Sequence, residues 1–255
     1  MNAEKERFAS FDLTDKVAIV TGGSRGLGRA IAGGLAAAGA DVVVASRRLE
    51  SCQDAAQEIA SEFGVRTLAI SCHVGKWSDL QELADFAWDF GGVDILVNNA
   101  GISPVTPPMQ DVTEELWDKI QDVNVKSVFR LTSLLGPRMI DRGGGSVINV
   151  SSAGAIKPLP LQMPYAASKA GVNSLTRSFA HALGPTVRVN AVAAGPFRTD
   201  MATTFDLPEV AAELEAIPLR RAGEPNEIVG AVQYLASDAS TYTTGAILEV
   251  HGGFW

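Results

Sequence analysis

Seven short runs of β-branched and other apolar residues punctuate the chain, and stretches of helical periodicity fill the gaps between them. The runs are KVAIV (16–20), DVVVA (41–45), VRTLAI (65–70), VDILVNN (93–99), GSVINV (145–150), VRVNAV (187–192) and GAILEV (245–250). They are apolar throughout instead of alternating, which is the pattern of parallel strands covered on both faces. Strand following helix in regular turn predicts an α/β fold with a doubly wound parallel sheet and helices on both faces. Helices are expected to about Ala38, from the second strand to about Phe63, over 78–90, across roughly 113–141 with a break near Pro137, over 164–183 and over 225–237. No composition break marks a linker and no fixed-period repeat is present, so 1–255 is expected to be one domain, with 1–13 an N-terminal extension.

Composition narrows the function classes. Net charge is 21 − 29 = −8, the wrong sign for a nucleic-acid surface. No run of about 18 apolar residues is present, so no membrane span is expected. The charged N-terminus lacks an apolar signal core, and the expected location is cytoplasmic. Cys52 and Cys72 read as packing residues, and no Cys/His cluster has metal-ligand spacing, so no metal is expected.

The first strand runs into TGGSRGLGRAIAGGLA, which sets Gly22, Gly26 and Gly28 between a strand and a helix. Glycines there let the backbone turn tightly and approach a pyrophosphate, whose charge the helix N-terminus favours. Ser24, Arg25 and Leu27 of the same turn join the cofactor-binding candidates. The second strand ends at Ser46, where an NAD site of this type usually carries a carboxylate. Arg47 and Arg48 follow it, and guanidinium forks suit a phosphate, so NADP(H) is favoured over NAD(H). The long excursions at 152–163 and 195–223 follow strand carboxyl ends, where open α/β sheets bind ligands.

Tyr165 and Lys169 lie four apart on the 164–183 helix and therefore share a face. A lysine ammonium is expected to lower the pKa of the phenol beside it, making Tyr165 a general acid or base near neutral pH. Ser152, just past the fifth strand, can donate a hydrogen bond to a substrate oxygen.

TGGSRGLG, NNAG (98–101), Ser152 with Tyr165-x-x-x-Lys169, and NAVAAGPFRTDM (190–201) occur in one order. Together, over Lys16 to Gly253, they resemble the short-chain dehydrogenase/reductase family, close to the 3-oxoacyl-carrier-protein reductases. The resemblance implies a single Rossmann-type domain with a seven-stranded sheet, a nicotinamide cofactor, and hydride transfer between a carbonyl and an alcohol. It selects Ser152 over Ser151 and assigns Asn124 to a water that links the lysine to solvent. It also implies that Asn98 and Gly101 stabilise the sheet and border the adenosine side, with Ala100 between them a further cofactor-binding candidate, that the segment with Pro196 passes the nicotinamide, and that Thr199 bonds the carboxamide or the pyrophosphate. His73, next to Val74, stands where the family usually has an aspartate near the adenine. Ala194 and His251 are further departures from the family pattern.

Ile156, Leu159, Met163, Phe197, Met201 and Phe205 are expected to line a largely apolar substrate pocket. Lys157 and Arg198 read as exposed charges and as candidates for anionic groups. Small residues on the 164–183 helix (Ala166, Ala167, Ala170, Gly171, Ser174) and the family analogy imply a homotetramer or homodimer, with Phe254 and Trp255 buried against a partner. The expected partner is a small carbonyl or alcohol. The leading reading is an NADP(H)-dependent oxidoreductase; the alternatives are an NAD(H)-dependent alcohol dehydrogenase of the same family and a non-catalytic dinucleotide-binding regulator.

Overall fold

The structure, a computed structural model, describes residues 10–104, 106–199 and 214–254. The apolar runs become strands β1 (Val17–Thr21), β2 (Asp41–Ser46), β3 (Thr67–Ser71), β4 (Ile95–Asn98), β5 (Gly145–Ser152), β6 (Val187–Ala194) and β7 (Ile247–Val250). They form one sheet in the order β3-β2-β1-β4-β5-β6-β7, with every neighbouring pair parallel. At the centre, Ile19 pairs with Val43 of β2 on one side and Leu96 of β4 on the other. The helices are α1 (Gly26–Ala37), α2 (Leu49–Phe63), α3 (Trp77–Gly91), α4 (Glu114–Gln121), α5 (Ser127–Arg142), α6 (Met163–Leu183) and α7 (Val229–Ala236).

Successive strand residues point to opposite faces, and both faces of this sheet are covered. On β1, Ala18 and Val20 pack with Ile31 and Leu35 of α1 and with Val232 and Leu235 of α7. Val17 and Ile19 pack on the other face with Leu80 and Leu83 of α3 and with Leu131 and Leu135 of α5. All twelve are at least 97% buried, which explains why the strands carry no polar alternation. The chain winds outward from β1 to β3, then returns to build β4 to β7 on the other side. The reversal opens a crevice between the carboxyl ends of β1 and β4.

Two expectations about the elements are corrected. Pro137 does not break a helix: α5 runs through it. Pro137 is exposed, so water can reach the carbonyl that it leaves without an N–H partner. The irregularity falls earlier, in a π-helical turn (Asp122–Lys126) between α4 and α5. In addition, β5 and β6 hold each other past the apolar runs, pairing Ser151 with Ala193 and Ser152 with Ala194. Ser152 is thus the last residue of β5, not a residue beyond it.

Candidate active site

A cleft of about 1330 Å³ runs along the carboxyl ends of the strands. That exceeds the ~300–1,000 Å³ typical of a small-molecule site, leaving room for a dinucleotide together with a substrate. Gly22, Ser24, Arg25, Gly26, Leu27 and Gly28 wall its first part. Gly22 adopts a φ of 66°, in the left-handed region that side chains disfavour. A Cβ on Gly28 would overlap the carbonyl oxygen of Gly22, so only glycine lets α1 start this close to the loop. The N-cap residue of α1, Arg25, makes no side-chain cap bond, which leaves the first-turn N–H groups facing the cleft. This cradle fits a pyrophosphate.

The loop is pinned from behind by Asn99. Its side-chain amide donates to the carbonyls of Thr21 (2.8 Å) and Gly22 (3.4 Å), while the Thr21 hydroxyl accepts the N–H groups of Asn99 and Ala100. At the end of β2, the hydroxyls of Ser46 and Ser24 lie 2.9 Å apart, and the Cys52 thiol lies 3.1 Å from that of Ser46. Arg25, Arg47 and Arg48 are exposed, line the cleft, and make no ion pair among the described residues. His73 and Val74 line the adjoining wall, where the His73 Nδ1 accepts the N–H of Gly75 at 3.2 Å. Cys72 lines it too; burial pushes its thiol up to about 12, so it is an inert packing group. Cys52 is likewise buried, and neither thiol is in a disulfide.

At the centre of the cleft, β5 and α6 bring Ser152, Tyr165 and Lys169 together. The Lys169 Nζ donates to the carbonyl of Val150 at 2.8 Å and stands 5.9 Å from the centre of the Tyr165 ring. The Ser151 hydroxyl donates to the Lys169 carbonyl at 3.3 Å, which fastens α6 to β5 at a second point. Gly101 completes the pocket: a Cβ there would meet the Lys169 Nζ at 3.4 Å and the Asn124 Oδ1 at 3.3 Å.

The electrostatics differ from the expected tuning. Burial raises the Tyr165 hydroxyl above its ordinary value of 10, and a hydrogen bond from Ser152 opposes that rise. Burial also pushes the Lys169 ammonium down to about 8. Desolvation is the largest influence at both groups, so the shift of the phenol runs upward and not downward as sequence spacing suggests. The hydroxyl stays protonated at neutral pH.

Two other expected site residues stand behind the cleft wall. Asn98 is buried in the sheet, where its amide donates to Asn149 (2.9 Å) and Thr132 (3.3 Å); Asn149 in turn donates to Thr176 of α6. Asn98 thus ties β4 to β5 instead of bordering a cofactor, and its neighbour Asn99 faces the cleft. Asn124, in the π-helical turn, is fully buried. Its Oδ1 accepts the N–H of Ile102, and its Nδ2 donates to the Ile102 carbonyl and to the Ser168 hydroxyl, each at 3.0 Å. The side chain clamps the loop after β4 to α6.

The chain after β6 folds back over the glycine loop, with Pro196 and Thr199 on the wall and the Thr199 side chain beside Gly26. Leu159 and Phe197 line the substrate end as expected, whereas Ile156 and Met163 are exposed and lie off the wall. Met201, Phe205 and Trp255 lie outside the described residues. Ile102, Leu161, Leu214, Ile217 and Phe254 also line the wall. Phe254 lines the cleft of its own chain. Its N–H and that of Gly253 both donate to the His251 Nδ1, which shapes the C-terminal turn.

A doubly wound parallel sheet, a glycine cradle at its switch point and a serine–tyrosine–lysine group beside it define the class of dinucleotide-fold oxidoreductases. The chain belongs to the short-chain dehydrogenase/reductase family. The family model described as enoyl-(acyl carrier protein) reductase matches residues 22–255. Dehydrogenase/reductase SDR family member 4 of Sus scrofa is 41% identical over 245 residues, covering 94% of this chain and 88% of that protein. Among solved structures, the NADPH-dependent 3-quinuclidinone reductase from Rhodotorula rubra superposes with a TM-score of 0.90 at 34% identity, over 96% of this chain and 92% of that one. A 7α-hydroxysteroid dehydrogenase complexed with NADH and 7-oxo glycochenodeoxycholic acid superposes with a TM-score of 0.90 at 36% identity, over 95% of each chain. Both nicotinamide cofactors therefore occur among its relatives. No helix among the described residues is long and apolar enough to cross a membrane.

Proposed function

We propose that the chain is an NADP(H)-dependent oxidoreductase that interconverts a carbonyl and a secondary alcohol, acting on CH–OH groups. The carrying observation is that the buried Lys169 Nζ is fixed on the Val150 carbonyl beside Tyr165, whose hydroxyl is bonded by Ser152, in one cleft with the glycine cradle. Gly22, Gly26, Gly28 and the α1 N-terminus would hold the pyrophosphate, and Arg25, Arg47 and Arg48 a 2′-phosphate. A bound nicotinamide supplies or accepts the hydride. Ser152 holds the substrate oxygen by a hydrogen bond. Tyr165, protonated at neutral pH, gives its proton to that oxygen in reduction and takes one back in oxidation. Lys169 stabilises the phenolate left behind.

Two further assignments belong to this reading. The exposed small residues Ala167, Ala170 and Ser174 on α6 support helix packing between copies, as a homotetramer or homodimer. Two buried free thiols fit a reducing compartment such as the cytoplasm.

The test is oxidation of NADPH and of NADH against a broad panel of ketones, with secondary alcohols in reverse. Turnover with NADPH preferred supports the reading. Faster turnover with NADH overturns the cofactor assignment, and cofactor binding without turnover of any panel member points to a regulatory protein.

A further inference from the structure

The charge of the cleft opposes the charge of the chain. The net charge is −8, with 29 acidic residues against 21 basic ones. Yet the charged residues on the cleft wall, among the described residues, are Arg25, Arg47, Arg48, Lys119, Lys157 and Lys169, without one aspartate or glutamate. Three of these cations stand at the ends of β1 and β2, where a cofactor phosphate accounts for them. Lys169 is held by the Val150 carbonyl. Lys119 and Lys157 have no such explanation. Three strand spacings separate β2 from β5, about 14 Å, so a phosphate beside Ser46 is out of reach of the substrate end.

Both lysines line the cleft that holds Ser152 and Tyr165. Lys157 follows the single 3-10 turn (Ala153–Ala155) that leaves Ser152, and its Nζ lies 5.3 Å from the centre of the Phe254 ring. Lys119 is on α4, whose Gln121 side chain donates to the carbonyl of Pro164, next to Tyr165. Neither lysine makes an ion pair among the described residues, whereas the neighbouring Lys126 is paired with Asp122. Apolar side chains, among them Ile102, Leu159, Leu161, Leu214 and Ile217, line much of this wall together with the uncharged polar Ser103, Thr106 and Gln162. A cleft lined by charge of one sign, with apolar walls, concentrates ligands of the opposite sign.

We propose that the substrate is an amphipathic anion, an apolar body that carries the reacting carbonyl or carbinol and ends in a carboxylate held by Lys157 and Lys119. This rests on the reading in the preceding subsection. Lysine acts as a point charge with little demand on geometry, which suits one carboxylate at the end of a flexible chain.

The test uses medium-chain oxo acids with the ketone at successive positions, each paired with its uncharged methyl ester. For at least one pair, kcat/KM for the acid is expected to exceed that for the ester by about tenfold, mostly through KM, as two partly exposed ion pairs would give. The acid's advantage should shrink with added salt. It should fall toward unity in the double variant Lys119→Gln Lys157→Gln and return in Lys119→Arg Lys157→Arg. Esters turned over as well as acids at every position, or an advantage that survives the double glutamine variant, overturns this proposal and leaves the oxidoreductase reading standing. If no pair is turned over, the oxidoreductase reading is judged on its own ketone panel, and calorimetry of the same acids and esters decides here. Acid binding that does not exceed ester binding, or that is unchanged in the double glutamine variant, overturns the proposal.

Discussion

Replacing Lys169 by methionine removes a buried charge, and the effect on stability should depend on pH in one direction. The ammonium is 5% exposed, and its pKa falls from 10.5 to about 8 on folding. That drop corresponds to a penalty of ~3 kcal/mol for carrying the charge in the folded state. Between pH 8 and pH 10.5 the unfolded chain binds the proton and the folded chain does not, so stability rises with pH across that window. The penalty is fully present below pH 8. The hydrogen bond to Val150 also disappears in the variant, leaving a buried carbonyl unmatched at a cost of ~1–3 kcal/mol, but that term does not vary with pH. Urea unfolding of wild type and Lys169→Met from pH 7 to pH 10.5 should therefore show the wild type gaining ~3 kcal/mol on the variant as pH rises. Tyr165 stays out of the way, because burial holds its titration above the window for most of its span. A wild-type-minus-variant difference that does not change with pH would refute a lysine neutralised by burial.

Other expectations follow from the same coordinates. Gly28→Ala should force α1 off the glycine loop, costing ~1–3 kcal/mol in thermal unfolding and weakening dinucleotide binding by titration. Arg47→Asp should lower kcat/KM with NADPH by about 10–100-fold relative to NADH, the loss of one charge-assisted contact, and an unchanged ratio would remove Arg47 from the cofactor site. Ketone reduction should fall as pH rises through about 8, where the Lys169 ammonium that stabilises the phenolate loses its charge; a flat profile from pH 6 to 10 would contradict the burial of Lys169.

The parts of the molecule legible in its sequence are those governed by local periodicity. Ile19 and Val43 read as strand residues buried on both sides because parallel strands need no polar face. Gly22 and Gly28 read as a phosphate turn because backbone conformation and close approach demand glycine there. Helical spacing put Tyr165 and Lys169 on one face, but it carries no information about burial, so the direction of the tyrosine's shift was lost. Pro137 reads as a helix breaker because proline lacks an N–H and its ring crowds the carbonyl four residues back, yet α5 runs through it at an exposed position. Asn98 and Asn124 were placed at the cleft by resemblance, and their amides turned out to satisfy buried partners in α5, α6 and the loop after β4. Ile156 and Met163 face outward because the 3-10 turns at 153–155 and 160–162 set their directions, and such turns leave no periodic trace. Phe254 was missed as a wall residue because its course depends on His251, three residues before it, accepting two backbone N–H groups.

The proton-carrying role of Tyr165 is tested most directly by Tyr165→Phe, followed in single turnover with saturating NADPH and a ketone that the wild type reduces. Loss of the hydroxyl should leave cofactor affinity within about twofold and slow the reduction by about 10²–10⁴-fold. Reduction at the wild-type rate in a folded, cofactor-saturated Tyr165→Phe would mean that the proton comes from elsewhere.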